Sequence, residues 1–356
     1  MDPATDLQDP VTHMRAEIAE QPAAVAATID ALLPQTAQVA ALAQRTRQIL
    51  FFARGTSDNA AVYGSYLIQT RTGRLANLGS PSVATTYHSR IDLAGVMAVG
   101  LSQSGRTQEI VQTLDWARDC GATTVAITNA AGSPLAELAD VALVTQAGAE
   151  RAVPATKTFT CQLAALAVLA IGLGADLDVR LLRDIPAVIE GLLDALGGAG
   201  TGLDEVVAEL TGVHGLVVSA RGLAYSAALE LALKIKEACY LHAMGISWAD
   251  LQHGPIAVVD ARTPAVIMAA DSGPTLPAAV GLARRVTAAG ARVYAIGGGA
   301  SLAAVSSRAL PGPALPEWLA PIGLIVPGQV LTEALSRRLG IDPDAPRGLS
   351  KVTQTT

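Results

Sequence analysis

The chain has 356 residues, enough for two domains of ordinary size, and a formal net charge of −6. Hydrophobic residues make up 51% of it and aromatic residues only 3%, which predicts a core built mainly from Ala, Val, Leu and Gly. The negative charge argues against a general nucleic-acid-binding surface. Cys120, Cys161 and Cys239 are far apart and lack metal-ligand spacing, so we expect buried thiols in a cytoplasmic protein.

The sequence predicts neither membrane insertion nor a bound cofactor. The N-terminal MDPATDLQDP is acidic and lacks the apolar core of a secretory signal. The longest apolar stretch, residues 163–175, is too short to span a bilayer and is typical of a core helix. No His, Cys and Asp cluster has the spacing of metal ligands. We therefore expect no membrane contact, no metal and no cofactor.

Taken in chain order, the predicted elements occur twice. Apolar strand-like runs, each followed by a polar turn and a helical pattern, begin at residues 49, 96, 123, 215, 265 and 291. Corresponding positions are 167, 168 and 169 residues apart, namely Gly55 and Gly222, Gly105 and Gly273, and Ile127 and Ile296. This spacing predicts an internal duplication. Strands that alternate with helices indicate parallel sheets with right-handed crossovers, hence two tandem, doubly wound α/β domains.

Four segments follow from this pattern. They are a helical lead-in (residues 1–34), a first domain (35–196), a second domain (203–340) and an extended, mostly polar tail (341–356). We place the joint between the domains in the glycine-rich stretch at residues 195–202.

Hydroxyl and amide side chains follow the strand-like run at residues 96–100. Ser102, Gln103, Ser104 and Thr107 precede a helical segment, and Gly105 permits close backbone approach. In open parallel sheets, ligands bind beyond the carboxyl ends of strands, where helix N-termini present N–H groups to anions. The pattern favours a phosphate site; a turn that only caps the helix is the alternative.

A second polar turn supports the phosphate interpretation. Gly55, Thr56 and Ser57 follow the preceding strand-like run at the equivalent position, so both turns can converge on one anion. The matching turns of the second half, ARGLAYS and DSGPTLP, have lost most of these hydroxyls. We therefore expect the phosphate site in the first half.

The second half carries a group of charges on an apolar helix. Glu230, Lys234 and Glu237 fall within about 60° of one another at helical spacing, whereas Lys236 points elsewhere. On a solvated helix this would be an ordinary ion pair. The segment at residues 220–244 is predicted to be buried, where ionised groups need partners or a function.

Two other candidate functional residues lie outside the polar turns and the charged helix. His253 lies in a loop before Gly254 and Pro255, where an imidazole is as often structural as catalytic. Lys351 lies near the C-terminus, where a lone lysine is usually a solvated charge.

Together these segments resemble the tandem sugar-isomerase (SIS) family. The resemblance rests on ARGTS, LSQSGRTQE, GAERAVPATKTFT, LELALKIKEACYLHA, LQHGP and PRGLSKVT, in order over roughly residues 35–356. Within the family they are most similar to the isomerase half of glucosamine-6-phosphate synthase and to the shorter aminosugar-phosphate deaminase/isomerases. The resemblance implies two flavodoxin-like domains, a sugar-phosphate substrate and a homodimer with sites shared between chains.

The resemblance also implies individual roles. The implied phosphate- and sugar-binding residues are Gly55, Thr56, Ser57, Ser102, Gln103, Ser104, Thr107, Val153 and Ala155. The implied catalytic residues are the proton-shuttling Glu237 with its supports Glu230 and Lys234, the ring-opening His253 and the C-terminal Schiff-base Lys351. In the family the histidine reaches the neighbouring subunit's site, and the tail at residues 341–356 is implied to close over the sugar as a lid.

Some features depart from the synthase. Arg106 replaces an acidic residue, and Met244 stands where the synthase has an acidic residue near the active helix. The chain begins too late for a glutaminase domain and has no cysteine before Cys120, so we expect it not to obtain ammonia from glutamine. The expected reaction is then removal of the amine.

The expected substrates are glucosamine 6-phosphate and water, and the products fructose 6-phosphate and ammonia, through ring opening and proton transfer from C2 to C1. Galactosamine 6-phosphate and a glycated amino acid phosphate are alternative substrates. A non-catalytic sugar-phosphate sensor is disfavoured, because it would lose Glu237, His253 and Lys351.

Overall fold

The computed structural model describes residues 11–198 and 200–351. It begins with three helices, α1 (His13–Ala19), α2 (Gln21–Leu32) and α3 (Thr36–Ala43). The first parallel sheet comprises β1 (Gln48–Phe52), β2 (Leu75–Leu78), β3 (Val96–Leu101), β4 (Thr123–Thr128) and β5 (Val141–Val144). Its helices are α4 (Thr56–Thr72), α5 (Ser82–Thr85), α6 (Gln108–Asp119), α7 (Pro134–Leu138) and α8 (Lys157–Gly172).

The second parallel sheet follows two connecting helices, α9 (Val179–Gly197) and α10 (Leu203–Leu210). Its strands are β6 (Gly215–Ala220), β7 (His242–Ser247), β8 (Ala265–Ala269), β9 (Val293–Gly297) and β10 (Arg308–Leu310). The remaining helices are α11 (Tyr225–Cys239), α12 (Trp248–Gln252), α13 (Leu276–Ala288), α14 (Gly299–Ala303) and α15 (Ala320–Arg338).

The strand orders confirm the predicted duplication and the doubly wound α/β class. The first sheet has the order β2-β1-β3-β4-β5, and the second, counted from its β7 edge, has the order β7-β6-β8-β9-β10. Both are the flavodoxin-like order 2-1-3-4-5. The residue limits of the two domains stay predictions; α9 ends at Gly197 and α10 begins at Leu203, on either side of the glycine-rich stretch.

The core is apolar and its elements approach closely. All side chains of β3 and β8 are buried, as expected for strands covered by helices on both faces. The predicted core helix is α8, whose residues are buried except Ile171. Helices α11 and α15 pack together. A Cβ at Gly328 of α15 would lie 3.0 Å from the Leu231 side chain, so the small residue sets their separation.

The stretch Gln21–Ala43 is long and apolar enough, with a mean hydropathy of 1.2, to cross a membrane. In the structure it forms α2 and α3, which pack against α8, and α2 also packs against α9. Val25, Ile29, Leu32 and Val39 are buried in the main core. Core helices pass the same test of length and composition.

Candidate active site

A cavity of about 340 Å³ lies at the carboxyl ends of β1 and β3. The strand order reverses between these two strands, and ligands of open parallel sheets bind at such a point. Most of the predicted site residues line this cavity: Gly55, Thr56, Ser57, Ser102, Gln103, Ser104, Thr107, Val153, Ala155, Lys234, Glu237 and Lys351.

The turn after β3 presents hydroxyl groups beside the start of α6. The Oγ of Ser102 and the Oγ1 of Thr107 are 3.1 Å apart, and Thr107 is the residue before the helix. Gly105 has φ +61°, and a Cβ there would lie 2.0 Å from the Ser133 Oγ. Only glycine therefore allows the tight turn that brings the α6 N-terminus and its N–H groups to the cavity.

The turn after β1 supplies the opposite wall. Gly55, with φ +56°, precedes α4. The Oγ of Ser57 accepts a hydrogen bond of 2.9 Å from Gln162 Nε2, so its own O–H can donate to a ligand. The Oγ1 of Thr56 donates to Glu230 at 2.9 Å, so this hydroxyl also supports the charged helix.

Arg54 and Glu109 join the two turns, and neither was singled out from the sequence. The Nε and Nη2 of Arg54 each donate to a carboxylate oxygen of Glu109 at 2.8 Å. The side-chain hydrogen bond to Glu109 raises the pKa of Arg54. Both residues lie within the recognised motifs, but only the fold shows that they pair, 55 positions apart. This bidentate pair holds the turn after β1 and the turn after β3 together.

The three charges on α11 form one cluster. The Nζ of Lys234 lies 2.5 Å from the Glu237 Oε2 and 3.4 Å from the Glu230 Oε1. Burial alone would lower the pKa of Lys234, but the two carboxylates outweigh it and raise the pKa. Lys234 is therefore held as an ammonium ion. The Glu237 side chain keeps 22% of its surface exposed and faces the cavity.

Glu230 lies beneath the cavity and does not line it. Its side chain is fully buried and accepts hydrogen bonds from Thr56 Oγ1 at 2.9 Å and Asn59 Nδ2 at 2.8 Å. Burial raises the pKa of Glu230, against the opposing effects of Lys234 and of these donors. Its position supports a structural role, in which it fixes Lys234 and joins α11 to α4.

The tail brings Lys351 into the cavity. Residues 341–351 form bends at 343–345 and a turn at 347–348, and not the extended path predicted from the sequence. The Nζ of Lys351 donates to Glu150 Oε2 at 2.6 Å and to the Ala152 carbonyl at 2.7 Å. The last residues of the predicted tail, 352–356, lie outside the described part of the chain. Lys351 is therefore paired within the structure and is not merely a solvated charge.

Glu150 was not singled out from the sequence, although it lies within the motif GAERAVPATKTFT. Its side chain is fully buried and also accepts hydrogen bonds from Thr156 N, Thr158 N and Thr158 Oγ1 at 2.9, 3.1 and 2.7 Å. Burial alone would raise the pKa of Glu150, but Lys351 and these donors hold it below its ordinary value. Glu150 is thus an ionised carboxylate in the cavity wall.

Glu150 should make the stability of the chain depend on pH in the acid range. Since its pKa is lower in the folded state, its ionised form contributes stability above the unfolded value of about 4.3, and this contribution is lost as the pH falls through the folded pKa. Urea unfolding between about pH 6 and pH 3 should therefore show a steeper loss of unfolding free energy in the wild type than in Glu150→Gln. Parallel curves for the two proteins would contradict this assignment.

The loop before α8 supplies backbone to the cavity. Val153 and Ala155 both line it, as the resemblance implied. The Val153 N–H already donates to the Asp344 carbonyl of the tail at 2.9 Å. Val153 therefore joins the cavity wall to the tail.

His253, like Glu230, is a predicted catalytic residue that does not line this cavity. Its side chain is exposed and lines a separate cavity of about 430 Å³, with Arg221, Trp248 and Thr275, at the carboxyl end of the second sheet. Within one chain, the imidazole and Glu237 therefore face different cavities.

In the second half, a carboxylate lies at the turn that corresponds to the hydroxyl-bearing turn after β3. Thr275, the counterpart of Thr107, donates to the Glu317 Oε1 at 2.6 Å. A Cβ at Gly273 would lie 2.8 Å from the Glu317 Oε2. The chain's own carboxylate thus fills this turn, which disfavours an anionic ligand there.

In residues 11–198 and 200–351, no group of three or more His, Cys, Asp or Glu side chains is placed to hold a metal ion. Cys161 and Cys239 are buried, and burial raises the pKa of each thiol to about 12. These two cysteines are therefore protonated core residues.

The fold and this cavity define a class of protein. The family model described as "SIS domain" matches residues 41–172 and 209–312. The chain belongs to the SIS domain family, as the sequence resemblance indicated.

Individual relatives show which members of this family the chain is similar to. The chain is 34% identical over 342 residues to the glutamine–fructose-6-phosphate aminotransferase (isomerizing) of Pyrococcus horikoshii, covering 95% of this chain but 57% of that protein. The C-terminal domain of glucosamine-fructose-6-phosphate aminotransferase from Francisella tularensis superposes with a TM-score of 0.86 at 28% identity, over 96% of this chain and all of that one. A provisionally named phosphosugar isomerase from Silicibacter pomeroyi gives 0.85 at 32% identity, over 94% of this chain and all of that one.

Proposed function

We propose that this chain isomerises an aminosugar 6-phosphate and releases its amine, converting glucosamine 6-phosphate and water to fructose 6-phosphate and ammonia. One observation carries the proposal: the hydroxyl cradle and the charged groups Glu237, Lys234 and Lys351 line the same cavity. Its volume of about 340 Å³ suits a small polar ligand. The names of the relatives, which include fructose-6-phosphate aminotransferase and isomerase, support the same substrate class.

The cradle would anchor the phosphate and place the sugar carbons beside α11. Hydroxyl groups of Ser102, Ser104 and Thr107 and the N–H groups at the α6 N-terminus bind the anion, so binding energy is used to orient C1 and C2. The Arg54–Glu109 pair keeps the two turns in register during this step.

Glu237 would move the proton between the two carbons. Its carboxylate removes the C2 proton and returns it to C1, converting the aldose amine to a ketose imine. Lys234 supports this role, because its ammonium group is fixed 2.5 Å from the Glu237 Oε2 and orients the carboxylate. Lys351, also in the cavity wall, is placed to act on the imine, either by forming a Schiff base or by assisting the addition of water.

His253 would open the sugar ring from a second copy of the chain. Its exposed position outside the cavity of its own chain favours this arrangement over action within one subunit. The homodimer, like the cytoplasmic location, stays a prediction.

The test is incubation of the purified chain with glucosamine 6-phosphate, galactosamine 6-phosphate and a glycated amino acid phosphate, with ammonia and ketose 6-phosphate measured. We expect glucosamine 6-phosphate to give both products in equal amounts. If only another compound of the panel released ammonia, that compound would be the substrate. Tight binding without any product would favour a non-catalytic sugar-phosphate sensor.

The reverse reaction is a second candidate, because the 34%-identical relative is named as an aminotransferase. In that reaction the same cavity would bind fructose 6-phosphate and accept nitrogen. Incubation of the chain with fructose 6-phosphate and ammonium salt, followed by assay of glucosamine 6-phosphate, distinguishes the two directions.

Loss of single cradle hydroxyls should weaken binding of phosphorylated substrates. Ser104→Ala and Thr107→Ala each remove a hydrogen bond to an anion worth about 1 to 2 kcal/mol, which raises KM roughly 5- to 30-fold. Thr275→Ala, at the corresponding turn of the second half, is the matched control and should leave KM unchanged. If unphosphorylated glucosamine binds as well as its phosphate, the cradle assignment is wrong.

A further inference from the structure

The tail is anchored to the N-terminal helix at Asp344, seven residues before Lys351. The two carboxylate oxygens of Asp344 accept the backbone N–H groups of His13 and Met14, each at 2.7 Å, at the start of α1. Its carbonyl accepts the Val153 N–H at 2.9 Å. One residue therefore ties the tail both to α1 and to the loop that lines the cavity.

Helix α1 also contacts the loop that accepts the Lys351 ammonium group. The buried carboxylate of Glu17 accepts the N–H groups of Arg151 and Ala152, the latter at 3.3 Å. The carbonyl of the same Ala152 accepts a hydrogen bond from Lys351. Glu17 thus holds the N–H side of the residue whose carbonyl receives the ammonium group.

The tail has a second anchor next to the charged helix. The guanidinium of Arg347 lies 4.3 Å from the centre of the Tyr240 ring, and the Arg347 N–H donates to the Tyr240 Oη at 2.7 Å. Tyr240 directly follows α11, three residues after Glu237. The tail is consequently held at both ends of its path before it enters the cavity.

We propose that α1, through Glu17 and Asp344, acts with Glu150 to position the Lys351 ammonium group in the cavity. Glu17, Asp344 and Glu150 are then positioning residues, and their effect on catalysis rests on the proposed function. A lysine side chain loses rotamer entropy when it is held in one position, and prior fixation removes this loss from the reaction step. The fully buried Glu150 provides the negative charge that pairs with Lys351, and Glu17 of α1 holds the backbone of Ala152 beside it.

Amine labelling of the unliganded chain tests the positioning without any substrate. Acetylation of Lys351 by an N-hydroxysuccinimide ester, followed by mass spectrometry, should be slow in the wild type. Asp344→Ala and Glu17→Gln should each raise its rate about tenfold, because they loosen the tail and its acceptor peptide. Asp342→Asn is the matched control in the same tail and should be labelled at the wild-type rate. Asp342 is exposed, and the asparagine Oδ1 can still accept the Asp344 N–H. Wild-type labelling in both Asp344→Ala and Glu17→Gln would overturn the proposal.

Measurements of hydrogen exchange and ammonia release then distinguish a positioning role from a general structural role. In deuterated water, Asp344→Ala should keep exchange of the carbon-bound hydrogen, which depends on Glu237, within about threefold of wild type, while ammonia release falls about tenfold. Glu150→Asp, which keeps the charge, should retain more ammonia release than Glu150→Gln. Equal loss of exchange and ammonia release in Asp344→Ala would contradict the proposal. If the wild type shows neither activity, the proposed function fails, and the labelling rates still decide the positioning.

Discussion

Glu237→Gln should lower turnover by about 10²-fold or more and leave sugar-phosphate affinity nearly unchanged. Glutamine keeps the shape of the side chain and can still accept a hydrogen bond from Lys234, but it cannot take up the C2 proton. The measurement pairs steady-state kinetics with calorimetric titration of the sugar phosphate.

Glu205→Gln is the control for the same chemical change, because Glu205 is exposed on α10. Its kinetics should match those of the wild type. A parallel loss of binding and rate in Glu237→Gln would instead assign Glu237 a structural role in the ion cluster of α11.

His253→Ala should be nearly inactive alone but should recover activity when mixed with Glu237→Gln. If one site takes Glu237 from one chain and His253 from another, each mixed dimer contains one intact site. Random exchange makes half of the dimers mixed, so about a quarter of the wild-type activity should return.

Subunit exchange is verified with differently tagged chains. The structure supports this design, since His253 and Glu237 face separate cavities within one chain. Verified exchange without recovery would place both residues in the site of the same chain.

Patterns within short stretches of the sequence predicted the duplicated fold and the position of the polar turns that line the cavity. Alternating strand and helix patterns define the sheets, and polar turns such as Gly55–Ser57 must lie where parallel strands end. The spacing of Glu230, Lys234 and Glu237 likewise placed them on one face of α11, because helical geometry is local.

Contacts between distant segments could not be predicted in the same way. Glu230 is held by Thr56 and Asn59, more than 170 positions away. Burial of its segment was predicted, but its partners and its place beneath the cavity were not visible in the sequence. The Glu150–Lys351 pair spans 201 positions. The sequence predicted an extended tail, whereas its described part forms bends and a turn, and the place where it docks depends on tertiary packing.

The central claim is that one cavity combines phosphate binding with proton transfer at the adjacent sugar carbons. The most direct measurement is NMR of glucosamine 6-phosphate incubated with the chain in deuterated water. We expect fructose 6-phosphate carrying solvent deuterium at C1, because the partly exposed Glu237 carboxyl exchanges the abstracted proton with solvent before it delivers a proton to C1. One equivalent of ammonia should accompany it, and unphosphorylated glucosamine should not react. Binding of the sugar phosphate without deuterium incorporation or ammonia release would contradict the account.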